Sequence, residues 1–315
     1  MSFCRTILGD VPTASMGITY SHEHIVIDES YATALHPEFL LNNPVKILTE
    51  LQEIKSLGCG TMVDTMPSNA GRNVLMSAAL SRDSGIHMIV PTGIHLEIYY
   101  PVTHWRYVYD EERLTQLFVD DIQKGIDRFD YAGPIVERTE HRAGLIKLAT
   151  GDDTFTPHQE MIFRSVVNAH RLTGAPILTH TNNGLQALEQ AELFSKLGAD
   201  LRHVVLSHVD RNSDIGYHHA LMQTGVSVEY DSAFRWKTSG YNQTYDLLEK
   251  LLPLYPDQFT VGMDAARHAY WKSYGGKPGL SYLLTTFVDE LRERGLESFQ
   301  EKLFIQNPAR IFSFF

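Results

Sequence analysis

Apolar positions along the chain follow two alternating rhythms. Short runs rich in aliphatic and β-branched residues recur: "GITYSHEH" (17–24), "TMVDT" (61–65), "HMIVPTG" (87–93), "GLIKLAT" (144–150), "APILTH" (175–180), "HVVLSH" (203–208), "VSVEYD" (226–231) and "FTVGMD" (259–264). Runs of this length and composition predict buried strands. Between them lie longer stretches with helical spacing, notably 43–58, 110–127, 156–174 and 184–198. Pro44 opens the first of these and Gly58 follows its end, the usual asymmetry of helix termini. Strands that alternate with helices predict parallel βαβ units, and eight of them point to an α/β protein built as a (β/α)8 TIM barrel, with residues 1–315 as one domain. A doubly wound open sheet is the alternative. That fold usually carries a Gly-rich phosphate loop after its first strand, where this chain has Ser21-His22-Glu23-His24.

Composition narrows the class. The 315 residues are 43% hydrophobic and 21% charged, ample for a large core, and the net charge of -11 argues against a nucleic-acid partner. Only Cys4 and Cys59 are present, so neither a disulfide framework nor a thiolate metal site is expected, and a reducing compartment fits. No apolar run at the N-terminus suggests a leader and none is long enough to span a membrane; a cytoplasmic location with no membrane partner is expected. The segment "GLSYLLTTFVDELRERG" and the tail "IFSFF" suit burial against the barrel base or against a second copy, which leaves a homodimer open.

The chemistry sits at strand ends. His22 and His24 are two apart, so both face one side of their strand; His180, His208 and Asp264 each close another. In a barrel the C-terminal strand ends converge, which gathers these residues into one site with a metal ligand set. Imidazole and carboxylate ligands without thiolates suit Zn²⁺ and tolerate Mn²⁺ or Co²⁺. Five ligands exceed the needs of one open catalytic cation, so two divalent metal ions are expected, and these need an anionic bridge. Lys147 stands in the middle of an otherwise apolar strand, where a charged amine is costly. Addition of CO₂ to its neutral amine gives a carboxylated lysine, a carbamate with one oxygen for each cation. Glu23, between the two histidines, would point away from the metals, and His203, His218 and His219 are read as structural or surface residues.

Taken in order, "SHEH", "GLIKLAT", "LTHTN", "LSHVDR", "VGMDAAR" and "QNPARIFSFF" resemble the phosphotriesterase-related branch of the amidohydrolase superfamily along essentially the whole chain. The resemblance implies a binuclear barrel hydrolase. It assigns His22, His24 and Asp264 to the more buried metal, His180 and His208 to the more exposed one, and carboxylated Lys147 to the bridge.

The loops after the seventh and eighth strands bear on substrate. They carry Arg235 and Lys237, then Arg267, Tyr270 and Lys272. Cations at a barrel mouth suit a phosphate monoester. Lys237, Arg267 and Tyr270 together resemble the sugar-phosphate lactonase subgroup. His95, followed by Tyr99 and Tyr100, departs from the aromatic residue that acyl-homoserine lactonases tend to carry there; it either contacts the leaving group or lines the pocket. Arg211 either anchors its loop, the preferred reading, or meets substrate, and residues 129–142 form an insertion without assigned role. The expected reaction is hydrolysis of a phosphorylated sugar lactone of the 5-phospho-pentono-1,4-lactone type. A metal-bridging hydroxide attacks and Asp264 shuttles the proton. The alternatives are a phosphotriesterase or a hydrolase of unphosphorylated lactones on the same site, and, more distantly, a Schiff-base aldolase using Lys147.

Overall fold

The computed structural model describes residues 2–236 and 240–315. An antiparallel hairpin, β1 (Phe3–Thr6) and β2 (Gly9–Pro12), opens the chain. Each of the eight apolar runs then becomes strand: β3 (Ile18–Glu23), β4 (Cys59–Asp64), β5 (His87–Ile89) with β6 (Pro91–Gly93), β7 (Leu145–Ala149), β8 (Ile177–His180), β9 (Val204–Ser207), β10 (Ser227–Tyr230) and β11 (Phe259–Val261). All are parallel to their neighbours. β3, β4 and β5 form one sheet, and β6 to β11 form a second in sequence order. The run 87–93 is interrupted at Val90, so its first half pairs with β4 and its second with β7. At the other edge, the Met263 and Asp264 N–H groups, just past β11, donate to His22 O at 3.3 and 2.9 Å. The architecture is therefore a barrel-like parallel α/β fold with the C-terminal ends of β3 to β11 on one side.

Helices follow the sequence signals closely. Pro44–Ser56 starts under an Asn43 cap that accepts from the Lys46 N–H, and Pro157–Thr173 starts with a Thr156/Gln159 capping box and stops at Gly174. Glu111–Gln123 is capped by Asp110. The helix expected at 184–198 is shorter, Ala187–Leu197, because Asn183 and Gln186 take left-handed conformations that break its first turn. The apolar segment at 279–295 divides at Thr285 into a 3₁₀ turn (Leu280–Leu284) and a helix (Thr286–Glu293).

Two glycines set how closely the strand ends approach. A Cβ at Gly93 would lie 2.0 Å from Lys147 O, and one at Gly262 would lie 2.8 Å from His22 N and 2.9 Å from Glu229 Oε1. No other residue fits either position without moving backbone that carries the site.

The tail closes the opposite end. Phe312 is fully buried in a cluster with Cys4, Met16, Val63, Ile89, Leu145, Leu178, Val205 and Ile311, and Phe314 N–H donates to Phe3 O at 2.9 Å. Phe312→Ala is expected to destabilise the protein by about 3–5 kcal/mol, read as a lowered urea midpoint, because it leaves a cavity beneath the strands. Both cysteines are unpaired and buried. Among the described residues no helix is long and apolar enough to cross a membrane.

Candidate metal centre

Strand polarity carries the site. His22 lies in β3 with His24 just beyond it, Lys147 is the central residue of β7, His180 ends β8, and His208 follows β9 directly. Asp264 lies three residues past β11, in a turn where its own φ is +48°. The structure brings all six together at the C-terminal side.

His24 Nε2 lies 3.1 Å from Asp264 Oδ1, and His22 Nε2 lies 3.7 Å from the same oxygen. The ring centres of His22 and His208 are 4.8 Å apart, and those of His180 and His208 are 4.6 Å apart. Two overlapping sets of ligand atoms fall within 4.8 Å of one another: His22, His24 and Asp264, and His22, His208, Glu229 and Asp231. His180 and Lys147 stand outside these two sets; His180 Nε2 is engaged with Asn182 Oδ1 at 2.7 Å. Burial holds the imidazoles of His22, His180, His208 and nearby His95 below their ordinary value, which leaves ring lone pairs free for cations.

Two buried groups test whether cations fit here. Glu229 is fully buried, its oxygens make no hydrogen bond among the described residues, burial and the neighbouring carboxylate of Asp231 push its pKa well up, and the neutral His22 Nδ1 lies 3.2 Å away. Lys147 is 1% exposed, burial pulls its pKa down to about 8, and its amine makes no hydrogen bond or ion pair among the described residues. A buried unpaired carboxylate costs several kcal/mol unless positive charge is brought to it. The donor set of imidazoles and carboxylates, without thiolate, is that of a hard-to-borderline divalent cation. The residues fit a pair of metal ions.

Glu229 and Asp231 went unassigned in the sequence, although the signal was present. In "VSVEYD", period two places Ser227, Glu229 and Asp231 on one face, while Tyr230 turns the other way to bond His218 in the helix Ile215–Gln223. Asp231 Oδ2 holds His208 Nδ1 at 2.5 Å and its Oδ1 accepts from Arg211 at 3.0 Å. Carboxylates behind ligating histidines set tautomer and ring orientation.

Arg211 anchors, as expected, through Ser232 and Asp231. It also reaches Asp264 Oδ2 at 3.1 Å and lines the pocket. Glu23 faces away from the metal ligands and accepts from the Met263 and Ala265 N–H groups at 2.8 and 3.4 Å, supporting the Asp264 turn. His203, His218 and His219 bond Ile311 O, Asn212 O and the Tyr255 hydroxyl respectively.

A cavity of about 260 Å³ opens above this cluster. Its walls include His95, Tyr99, Arg235, Arg267 and Tyr270. His95 stacks edge-on to Tyr99 and lies 5.4 Å, ring to ring, from His180. Arg267 is exposed at the mouth over the Phe39 ring. Lys237 lies outside the described residues. Lys272 is turned elsewhere, onto Glu53 and Ser281 at 2.8 and 2.6 Å, so it adds no charge to the pocket. The 129–142 insertion latches a neighbouring wall: Asp130 accepts from Asn69 N–H and Arg72, in the loop that supplies Met66 and Ala70 to the cavity.

A parallel, barrel-like sheet with a buried His/carboxylate cluster at its C-terminal strand ends and an open cavity above it defines a metal-dependent hydrolase. Known proteins narrow that class. The phosphotriesterase family model matches residues 2–312, and the chain belongs to that family. A phospho-furanose lactonase from Mycoplasmopsis synoviae is 31% identical, over 99% of this chain and 92% of that protein. An amidohydrolase structure from Mycoplasma synoviae superposes with a TM-score of 0.95 at 29% identity, covering 100% of this chain and 92% of the other. A lactonase structure from Listeria monocytogenes gives 0.90 at 31% identity, covering 99% of each. The protein is a binuclear metal-dependent hydrolase of the phosphotriesterase/lactonase type, close to the sugar-phosphate lactonase subgroup.

Proposed function

We propose that the chain, a single closed (β/α)8 barrel domain, hydrolyses a phosphorylated sugar lactone of the 5-phospho-pentono-1,4-lactone type. The observation that carries this reading is one cavity joining the histidine cluster to a mouth lined by Arg267 and Tyr270. Its volume suits a small ligand, and an exposed guanidinium over an aromatic ring presents free N–H groups to a phosphate. The substrate named in the M. synoviae relative is of the same class.

His22, His24 and Asp264 would hold one cation and His180 and His208 the other, with Lys147, carboxylated by CO₂, as the ligand they would share; Zn²⁺ is the favoured metal. When bound, the pair supplies a Lewis acid for the carbonyl and water acidified to near neutrality. Arg267, Tyr270 and Lys237 grip the phosphate and thereby fix the carbonyl over the ligand cluster. Asp264 takes the proton of the attacking water and returns it to the departing ring oxygen. His95 lines the same cavity, and its neutral imidazole contacts the leaving hydroxyl.

A 5-phosphorylated pentonolactone is expected to show a kcat/KM at least about 10²-fold above its dephosphorylated form, the worth of one or two charge-assisted contacts. Equal values for the two would remove the phosphate site from the account.

A further inference from the structure

Two arginines line the pocket beside Tyr270, and their surroundings differ. We infer that Arg235 is a positioning residue that clamps the Asp264 turn, and that it is not a ligand for the substrate phosphate. The inference rests on the lactonase reading above and assigns a task within that site.

Arg235 has committed both of its terminal nitrogens, and the one donor left without a partner, Nε, is buried away from the cavity's solvent. Nη2 reaches Met263 O at 3.2 Å, Asp264 O at 2.5 Å and Asp264 Oδ2 at 2.9 Å, and Nη1 donates to the Tyr270 hydroxyl at 3.2 Å. The guanidinium also lies 4.9 Å from the Phe234 ring and 5.0 Å from the Tyr270 ring, so aromatic surface holds it in place. A phosphate would have to displace several of these partners. Arg267 offers the contrast: it is exposed, rests over Phe39, and makes no ion pair among the described residues.

The turn that Arg235 grips needs a clamp. Asp264 adopts a left-handed φ of +48°, sparsely populated outside glycine, and such strain persists only where the surroundings over-determine it. Glu23 and His22 O engage the turn's N–H groups. Arg235 engages the carbonyls of Met263 and Asp264 and then the side chain itself. Every polar direction of the turn is thereby fixed. Asp264 Oδ2 faces Arg235 and Arg211, which leaves Oδ1 aimed at His24 and His22. Removal of Arg235 leaves Oδ2 of the carboxylate held by Arg211 alone and free to shift, takes one hydrogen bond from the Tyr270 hydroxyl, and leaves Arg267, the charged part of the phosphate grip, untouched.

The test compares Arg235→Met, Arg235→Lys and Arg267→Ala on a 5-phosphorylated pentonolactone and its dephosphorylated form, with ribose 5-phosphate binding measured by calorimetry. Arg235→Met is expected to lower kcat about 10- to 100-fold on both lactones and leave KM for the phosphorylated one within about twofold. Arg235→Lys recovers part of kcat, and ribose 5-phosphate binds both variants as it binds wild type. Arg267→Ala loses that binding and the preference for the phosphorylated lactone. The inference is overturned if Arg235→Met raises KM for the phosphorylated lactone alone, or weakens ribose 5-phosphate as Arg267→Ala does. Should Arg235→Met not fold, Arg235→Lys carries the same comparison. A wild-type enzyme without phosphate preference sinks the lactone-phosphate reading instead, and the kcat-against-KM split on whichever lactone is turned over still decides Arg235.

Discussion

Lys147→Met is expected to abolish the metal bridge, cut lactone hydrolysis by at least about 10³-fold, and leave the metal-free protein no less stable than metal-free wild type. The two halves of this result have one cause. Lys147 is buried in β7 with no hydrogen bond or ion pair among the described residues, and burial, against the opposing pull of nearby carboxylates, lowers its pKa to about 8. Without cations its amine is a cost to the fold, and methionine, of similar length and apolar, removes that cost. With cations, Lys147 is the one lysine among the described residues that stands beside the cluster, and on the proposed reading its neutral amine becomes an anion by taking up CO₂. Loss of metal chemistry worth several kcal/mol then accounts for the fall in rate. Melting curves recorded with a chelator, set beside metal content and turnover without it, read both halves. A methionine variant that keeps its cations and its rate would remove Lys147 from the site.

Asp264→Asn is expected to lower kcat by about 10²- to 10⁴-fold while retaining most of the metal. Asparagine keeps the shape and an oxygen that can face His24, but it cannot receive a proton. Burial opposes ionisation of Asp264, yet Arg235 and the surrounding histidines outweigh it and hold the carboxyl well below the usual carboxylate range. The group is thus ionised at neutral pH. The substitution also leaves Arg211 and Arg235 facing a neutral partner, so part of the loss reflects a loosened turn. Kinetics and metal analysis on the same sample separate the two: a proton-transfer role predicts low kcat with cations in place, whereas a purely ligating role predicts that rate and metal fall together.

The strands and the histidines at their ends were legible because both obey local rules. A buried parallel strand is a short apolar run, and His22, His24, His180 and His208 stand where such runs stop. Lys147 was legible because it violates the same rule. Glu229 and Asp231 sit in a strand as plain as the others, yet nothing adjacent in sequence shows that Ser227, Glu229 and Asp231 face the histidines rather than the helices. That depends on which neighbours the strand acquires. Arg235 is illegible for a related reason: its partner Asp264 is 29 residues away, and the contact exists only once β11 has brought the turn alongside. Lys272 shows the converse. It lies in the basic loop by sequence, but a 3₁₀ turn at Lys272–Tyr274 directs it to Glu53 on the outside. The segment after Gly279 kept its apolar pattern and lost its continuity: its first part, held by the Leu280 N–H on Glu50 of the helix Pro44–Ser56, winds as a 3₁₀ turn, and the helix starts only after Thr285, which is neither helical nor extended. The sequence pattern reports what is buried; the corner is set by tertiary contact.

Metal content and lactone turnover measured on one sample of purified protein test the central claim most directly. The account predicts two divalent cations per chain, turnover that disappears with a chelator, and recovery when Zn²⁺ or Mn²⁺ is returned together with bicarbonate as a source of CO₂. Full turnover from a chain that holds no cation, or only one, would contradict it.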